Sequence, residues 1–468
     1  MEDLGRFLSE LSGYVWGVPL LVLLFGTHLF LTFRLRFPQR YIFKAIRLSL
    51  SRSEAGAGDV SPFGALTTAL AATIGTGNIV GVATAVAAGG PGAVLWMWLT
   101  GVFGFATKYS EALLAVKFRV KNAQGQMSGG PMYVLERGLH SRPLAIAFAV
   151  LTAVAAFGIG NMVQANAIAS MAQESLGVSP WASGGAMMIL TAVVILGGIT
   201  WIARVCEFLV PFMAIFYVLG CAVLLGMGWE TLGATLSTIV SSAFTGQAAV
   251  GGFLGAGIRE AMRFGIARGL FSNEAGLGSA PIVAAAAQTK NPVRQALVSA
   301  TGTFWDTVVV CAMTGLVIVN SGEWESGAKG AALTHAAFAH LPGYVGPVIL
   351  NVGLVTFVFS TILGWSYYGE KAVEYLVGTR GVVPYRVLWV IAVLVGSVMK
   401  LSVIWDFADI ANALMAIPNL VSLLVLNGML VVETRKWLWE GRVDEAEVTT
   451  PGGVMTCIPR KCVMFRVS

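Results

Sequence analysis

Residues 70–81 read LAATIGTGNIVG. Gly75, Gly77 and Gly81 crowd one window of an apolar run, and Thr76 and Asn78 set polar side chains among them. A glycine weakens a helix by about 1 kcal/mol relative to alanine. This hydrophobic segment is therefore built to break in its middle.

The rest of the chain says what kind of helix is being broken. It has 468 residues, 56% of them hydrophobic and 12% charged. Soluble domains carry about 25% charge. About 20 apolar residues cross a bilayer as a helix, and the sequence offers many such runs. They are too long and too poorly alternating for a barrel. The fold class is an all-α integral membrane protein in a lipid bilayer. Eleven spans are predicted near 14–33, 62–89, 91–116, 143–172, 181–202, 205–228, 268–288, 295–319, 345–369, 383–401 and 404–432. The stretch 230–262, rich in Ser, Thr, Gly and Ala, predicts a surface or re-entrant helix.

The net charge of +6 is an orientation signal and suggests no nucleic-acid partner. Lys and Arg collect in alternate connections. Arg34 to Arg52 follow the first span, Lys117 to Arg142 the third, Arg204 the fifth, Lys290 and Arg294 the seventh, and Lys371 to Arg386 the ninth. A basic tail closes the series, which places the N-terminus outside and the C-terminus in the cytoplasm. Arg259, Arg263 and Arg268 stand on the opposite side, either lining an entry region or marking a fault in the topology. The start MEDLGRF is too acidic for a cleaved signal. The cysteines, Cys206, Cys221, Cys311, Cys457 and Cys462, lack metal-site spacing, and the histidines do not cluster. Residues 441–468 have no clear periodicity and predict a loosely held tail.

Three readings compete for the break. A dinucleotide loop needs G-x-G-x-x-G after a strand, whereas this is G-x-G-x-x-x-G inside a membrane helix. Helix packing through Gly77 and Gly81 explains the glycines, but not Thr76 and Asn78. A discontinuous helix explains both. Bare backbone groups in lipid cost several kcal/mol each, so the break must face protein, ions or water. The half starting near Thr76 offers N–H groups that suit a carboxylate. The half ending near Ile74 offers carbonyls that suit a hard cation such as sodium.

A second break is expected in a transporter made of inverted repeats. It is found at GLFSNEAGLGSAP, residues 269–281, with Ser272, Asn273, Glu274, Gly276, Gly278 and Pro281 in an apolar segment. The chain then divides into an extra span and basic loop (1–61), a first five-helix repeat (62–228), an outer connection (229–267), a second repeat (268–432) and a tail (433–468).

The stretches GGPGAVLWMWLTGVFG (89–104), SGGPMY (128–133), FSNEAGLGSAP and TILGWSYYGE (361–370), with IGTGNI, are similar to the signatures of the alanine or glycine:cation symporter family. The resemblance covers about residues 14–440, with Leu95 standing where a phenylalanine is expected. It implies a LeuT-like fold and a plasma-membrane secondary transporter, not an enzyme. Its substrates would be alanine, glycine and similar small neutral amino acids, and its coupling ion sodium, with a proton as the alternative. An ion channel using the same broken helices is the rival from another class.

The resemblance also implies site residues. The N–H groups of Thr76 and Gly77 would meet the substrate carboxylate. Asn78 stands between a helix N-cap, a substrate contact and an ion ligand. Phe271, Ser272 and Asn273 would face the amino group and side chain. The sodium ligands would be the carbonyls of Ala71, Ile74 and Phe357 and the hydroxyls of Ser360 and Thr361, although such hydroxyls often bond only to their own turn.

Asn161, Gln164 and Asn166 are amides at membrane depth, and Gln164 is the expected substrate-side residue. Trp365 shares a helix face with Thr361 and would limit side-chain room, or else it belongs to an interfacial belt. Glu274 would balance the ammonium, take part in proton coupling or pair with Arg268. Lys108 and Glu111, three apart, are expected to pair with each other. Asp306, Asp406 and Asp409 read as gating, helix-end or interfacial residues.

Overall fold

The computed structural model describes residues 2–50, 56–245, 257–399, 402–446, 455–458 and 461–464. The helix Pro62–Thr73 opens on a proline, which lacks the N–H that a first turn leaves unpaired anyway. Ser61 Oγ caps it by accepting from Gly64 N at 2.8 Å. It stops at Ile74, whose ψ of 94° is extended. The chain resumes as a π turn, Gly77–Gly81, leading into Val82–Gly89. The two halves are bent by 54°.

The second segment breaks differently. Ile258–Asn273 ends at Glu274, a non-glycine residue at φ 55°. Gly276 and Gly278 follow at φ 90° and 86°, a region that favours glycine. Helix returns only as the short Pro281–Ala284.

Among the described residues, six helices are long and apolar enough to cross a membrane, or up to eight if two bent pairs count as single spans. One pair is the first broken helix, and the other joins Asp409–Val425 to Asn427–Trp439 at 59°. Length and composition alone thus do not reach the eleven spans expected; Pro180–Ile195, for example, is apolar but has only 16 residues.

Several boundaries also move. The fifth and sixth spans meet at Gly197–Gly198, where Gly198 has φ 68°, so Arg204 lies inside Gly198–Met227 and not in a connection. The seventh segment starts at Ile258, and Arg259, Arg263 and Arg268 therefore sit on a helix. In the connecting stretch Trp229–Thr245 is a helix, while 246–256 fall outside the described residues. The start of the tail is anchored, with Asn291 Nδ2 donating to the carbonyls of Val443 and Glu445 at 2.9 Å and Arg294 pairing with Asp444. Further on, Met455–Ile458 pairs antiparallel with Lys461–Met464.

Helix Gly92–Lys117 is the inner post of the fold, and Ile258–Asn273 and Pro292–Thr303 both pack on it. Small residues allow the close approach. A Cβ on Gly101 would lie 2.9 Å from Thr307 Cβ. Likewise, a Cβ on Gly364 of helix Val345–Val377 would lie 2.7 Å from Ala72 N of the first broken helix.

At one end of the molecule the chain entering the first broken helix pairs with the chain leaving the second. Asp59 N donates to Ala286 O at 2.7 Å and Gln288 N to Val60 O at 2.8 Å. Arg119 staples the pair, donating to Ala57 O at 2.8 Å, Ala285 O at 3.0 Å and Ala287 O at 2.7 Å. Asp59 accepts from Met127 N at 2.8 Å, and burial holds its carboxyl above the usual range. Hydrogen bonds from a charged donor contribute about 1.5–3 kcal/mol each. Arg119→Ala is therefore expected to speed amide hydrogen exchange across 57–60 and 285–289 by at least about tenfold, measured by mass spectrometry. Unchanged exchange there would mean that the backbone pairing holds without the staple.

Candidate functional site

Five oxygens gather where the first broken helix stops against the middle of Val345–Val377. Ser360 Oγ lies 3.2 Å from Ala71 O and 2.8 Å from Phe357 O. Thr361 Oγ1 lies 3.3 Å from Ile74 O and 3.0 Å from Phe357 O. All five residues are buried. The hydroxyls do bond back to their own turn, but they also reach across to the other helix. Gly75 makes this possible, since a Cβ there would lie 2.6 Å from Thr361 Oγ1. The set holds three carbonyls, two hydroxyls and no formal charge. Such donors suit a small hard monovalent cation and offer nothing to a metal that prefers nitrogen or sulfur.

Beyond the break Thr76, Gly77 and Asn78 are buried. Asn78 does not cap the outer half-helix. Its Oδ1 accepts from Gly75 N at 2.9 Å, three residues back, and its Nδ2 donates to Asp306 Oδ1 at 2.7 Å. A Cβ on Gly77 would lie 3.4 Å from Phe271 Cδ1 and 3.5 Å from Ser272 Cα, so the two breaks meet here. Ser272 Oγ donates to Asp306 Oδ2 at 3.0 Å. Asn273 turns inward on its own loop instead, accepting from Ala275 N at 2.9 Å and donating to Thr100 Oγ1 at 3.3 Å.

Gln164 reaches the first break. Its Nε2 donates to Ile159 O at 2.9 Å and to Thr76 Oγ1 at 3.4 Å. Its buried Oε1 has no partner, and a Cβ on Gly75 would lie 3.5 Å from it. Asn161 and Asn166 have other work, donating at 2.9 Å to the carbonyls of Trp389 and Gly396 on helix Val382–Val398. Trp365 is fully buried, which rules out the interfacial belt. A Cβ on Gly160 would strike its ring, and its Nε1 donates to Glu274 Oε1 at 2.9 Å.

Glu274 takes its second bond from Ser279 Oγ at 2.5 Å. It does not pair with Arg268, whose guanidinium lies 5.7 Å from the Phe271 ring centroid. Lys108 and Glu111 do not pair with each other either. Lys108 Nζ donates to Asn273 O at 2.6 Å, on the carbonyl side of the second break. Glu111 Oε1 accepts from Gly276 N and Gly278 N at 3.1 Å and from Asn419 Nδ2 at 2.7 Å. One helix thus presents a cation to the carbonyl side of the break and a carboxylate to its N–H groups, as the helix-end charges require.

The profile of the sodium:alanine symporter family matches residues 1–450. The chain belongs to the sodium:alanine symporter family. It is 50% identical over 457 residues to the sodium/alanine symporter AgcS of Methanococcus maripaludis, covering 95% of this chain and 99% of that one. It is also 50% identical to an uncharacterized transporter of Haemophilus influenzae, with 93% and 97% covered. The crystal structure of MhsT in complex with L-phenylalanine aligns with TM-score 0.55 at 16% identity, over 84% of this chain and 94% of that one. That likeness carries the fold alone, and the fold is LeuT-like. The chain is a multi-pass membrane transporter, not an enzyme.

In this symporter the fold brings Ala71, Ile74, Phe357, Ser360 and Thr361 together, with Thr76 and Gln164 beside them. Gly77, Asn78, Phe271 and Ser272 meet on the far side of the break. The sequence reading passed over three residues as site members: Asp306, Lys108 and Glu111, all buried. Their signal was present, because ionisable residues at membrane depth are costly. The spacing of Lys108 and Glu111 misled, because the partner of each is a loop about 165 residues away.

Proposed function

We propose that this symporter carries alanine and glycine into the cell with sodium, by alternating access across the plasma membrane. The observation that carries the reading is the convergence at the first break. The five-oxygen cluster lies on the carbonyl side, and the N–H groups of Thr76 and Gly77 lie two and three residues beyond Ile74. An amino-acid carboxylate and a cation can therefore bind side by side on one broken helix.

Sodium would join Pro62–Thr73 to Val345–Val377 by replacing the hydroxyl–carbonyl bonds of Ser360 and Thr361 with ion contacts. That fixes the end of the half-helix on which Thr76 and Gly77 wait. Each ligand then raises the affinity for the other, reciprocally. Gln164 Oε1, an acceptor without a donor, suits the ammonium group. The buried Trp365 and the partly buried Phe271 limit side-chain room to small substrates. The halves 62–228 and 268–432 rock about the site, with the N-terminus outside and the C-terminus in the cytoplasm.

Purified protein in proteoliposomes is expected to accumulate alanine above the bath concentration under an inward sodium gradient, with glycine competing. The reading fails if neither a sodium nor a proton gradient drives accumulation of any small neutral amino acid. Flux that only equalises concentrations would favour a channel.

A further inference from the structure

The first span ends in a basic, aromatic surface. Helix Val18–Arg34 stops at Arg34, and the chain turns through Arg36 and Phe37, both at φ 57°, into the turn Pro38–Tyr41 and the helix Ile42–Ser49. Two left-handed residues in a row, neither of them glycine, make this turn sharp. On the short helix Ala45, Leu48 and Ser49 are buried, and the helix packs on Pro292–Thr303. Its other face carries Phe43 and Arg47, with Leu50 just beyond, spaced four and three residues apart. Phe43 is 83% exposed, Leu50 69% and Phe37 47%.

The end of the last helix meets this turn. Arg34 Nε donates to Asn427 Oδ1 at 3.1 Å. The guanidinium groups of Arg36 and Arg435 lie over the same Trp439 ring, 4.5 Å and 5.9 Å from its centroid. Like charges from opposite ends of the chain thus converge on one indole. No Asp or Glu occurs between residues 11 and 53. Among the described residues no carboxylate lies within ion-pair distance of Arg34, Arg36, Arg40, Lys44 or Arg47. The acids that follow the last helix and its end are engaged elsewhere, Glu433 with Lys117, and Glu440 and Glu445 with Arg442. The surface gathers positive charge and leaves it uncompensated by protein.

We infer that this surface binds the headgroups of anionic phospholipids. Its depth is set by the span it closes, because an apolar helix that ends on arginine ends at the headgroups. Arginine forks match phosphate oxygens. Phe37, Phe43 and Leu50 are the apolar side chains that an interfacial helix lays into the boundary between headgroups and acyl chains. A free phosphate or a nucleic acid would use the arginines and leave those side chains in water; a lipid occupies both. A zwitterionic lipid brings an ammonium that the arginines repel. Each basic residue beside an anionic bilayer surface strengthens the attraction about fivefold. The inference rests on the chain's place in a membrane and not on its substrate or coupling ion, so either can fail without the other.

In the experiment the full chain in detergent receives equimolar phosphatidylglycerol and phosphatidylcholine, and native mass spectrometry reads the lipids it retains. The wild type is expected to favour phosphatidylglycerol at least about tenfold. Arg36→Gln with Arg40→Gln and Arg47→Gln removes three exposed charges and should lower that preference at least about tenfold. The same three changed to Lys should keep most of it. Arg137→Gln with Arg259→Gln and Arg380→Gln removes as many exposed charges elsewhere and should leave it intact. Equal retention of the two lipids by the wild type, or equal loss from both Gln variants, overturns the inference. Phe43→Ser keeps every charge and should still weaken phosphatidylglycerol retention; unchanged retention means that no acyl boundary is read. Inorganic phosphate and a short single-stranded RNA are the rival probes, and neither should displace phosphatidylglycerol from the wild type at equal concentration. Displacement by either one overturns the lipid assignment, whatever the variants do.

Discussion

Ser360→Ala combined with Thr361→Val is expected to raise the sodium concentration for half-maximal alanine uptake by at least about tenfold, on the order of 1.4 kcal/mol. Two of the five clustered oxygens vanish, and they are the two that reach from Val345–Val377 to the first broken helix. Sodium is small and hard, and an apolar neighbour cannot replace a lost oxygen. Valine keeps the branched shape of threonine, so packing against Gly75 is nearly preserved. By linkage, the apparent alanine affinity at low sodium falls by the same factor that sodium normally adds. Saturating sodium should bring alanine affinity back toward the wild-type value, which separates a weakened ion site from a damaged fold. Each single variant should show part of the shift. An unchanged sodium dependence in the double variant would place the coupling ion elsewhere.

Both breaks were legible because they violate a local rule. Glycine, proline and polar residues inside long apolar runs conflict with an unbroken helix, and such conflicts concentrate at functional sites. The ion cluster was legible only through resemblance, since nothing in the spacing of Ala71, Ile74 and Phe357 says that their carbonyls face Ser360 and Thr361. Helix ends were read less well. Arg259, Arg263 and Arg268 read as lining an entry region or marking a fault in the topology, with the seventh span begun only at residue 268, yet all three lie along the helix Ile258–Asn273. Trp365 could be read two ways, as an indole often is, until burial and its bond to Glu274 decided. Lys108, Glu111 and Asp306 were visible as charges, but their partners are set by tertiary contacts that no local period encodes.

Lys108→Met is expected to be the most damaging single change. Lys108 is almost fully buried, so its charge does not reach water along the side chain. It donates to Asn273 O and lies in the electrostatic field of Glu111, Glu274 and Asp306. Removing it strips the carbonyl side of the second break of its donor and leaves those carboxylates without their shared cation. Deleting one partner of a buried charge set typically costs about 3–5 kcal/mol, against a total stability of about 5–15 kcal/mol for ordinary domains. Uptake should fall by about a hundredfold or more, and the purified protein should unfold at a clearly lower temperature. Glu111→Gln should be milder, because the amide oxygen still accepts from Gly276 N or Gly278 N. The double variant carries the decisive sign. If the two charges support one break, Lys108→Met with Glu111→Gln is less destabilised than the sum of the singles, by about 0.5–3 kcal/mol. Strict additivity would mean that the cation and the carboxylate act on the break independently, and wild-type unfolding and uptake in Lys108→Met would mean that Asn273 O finds another donor.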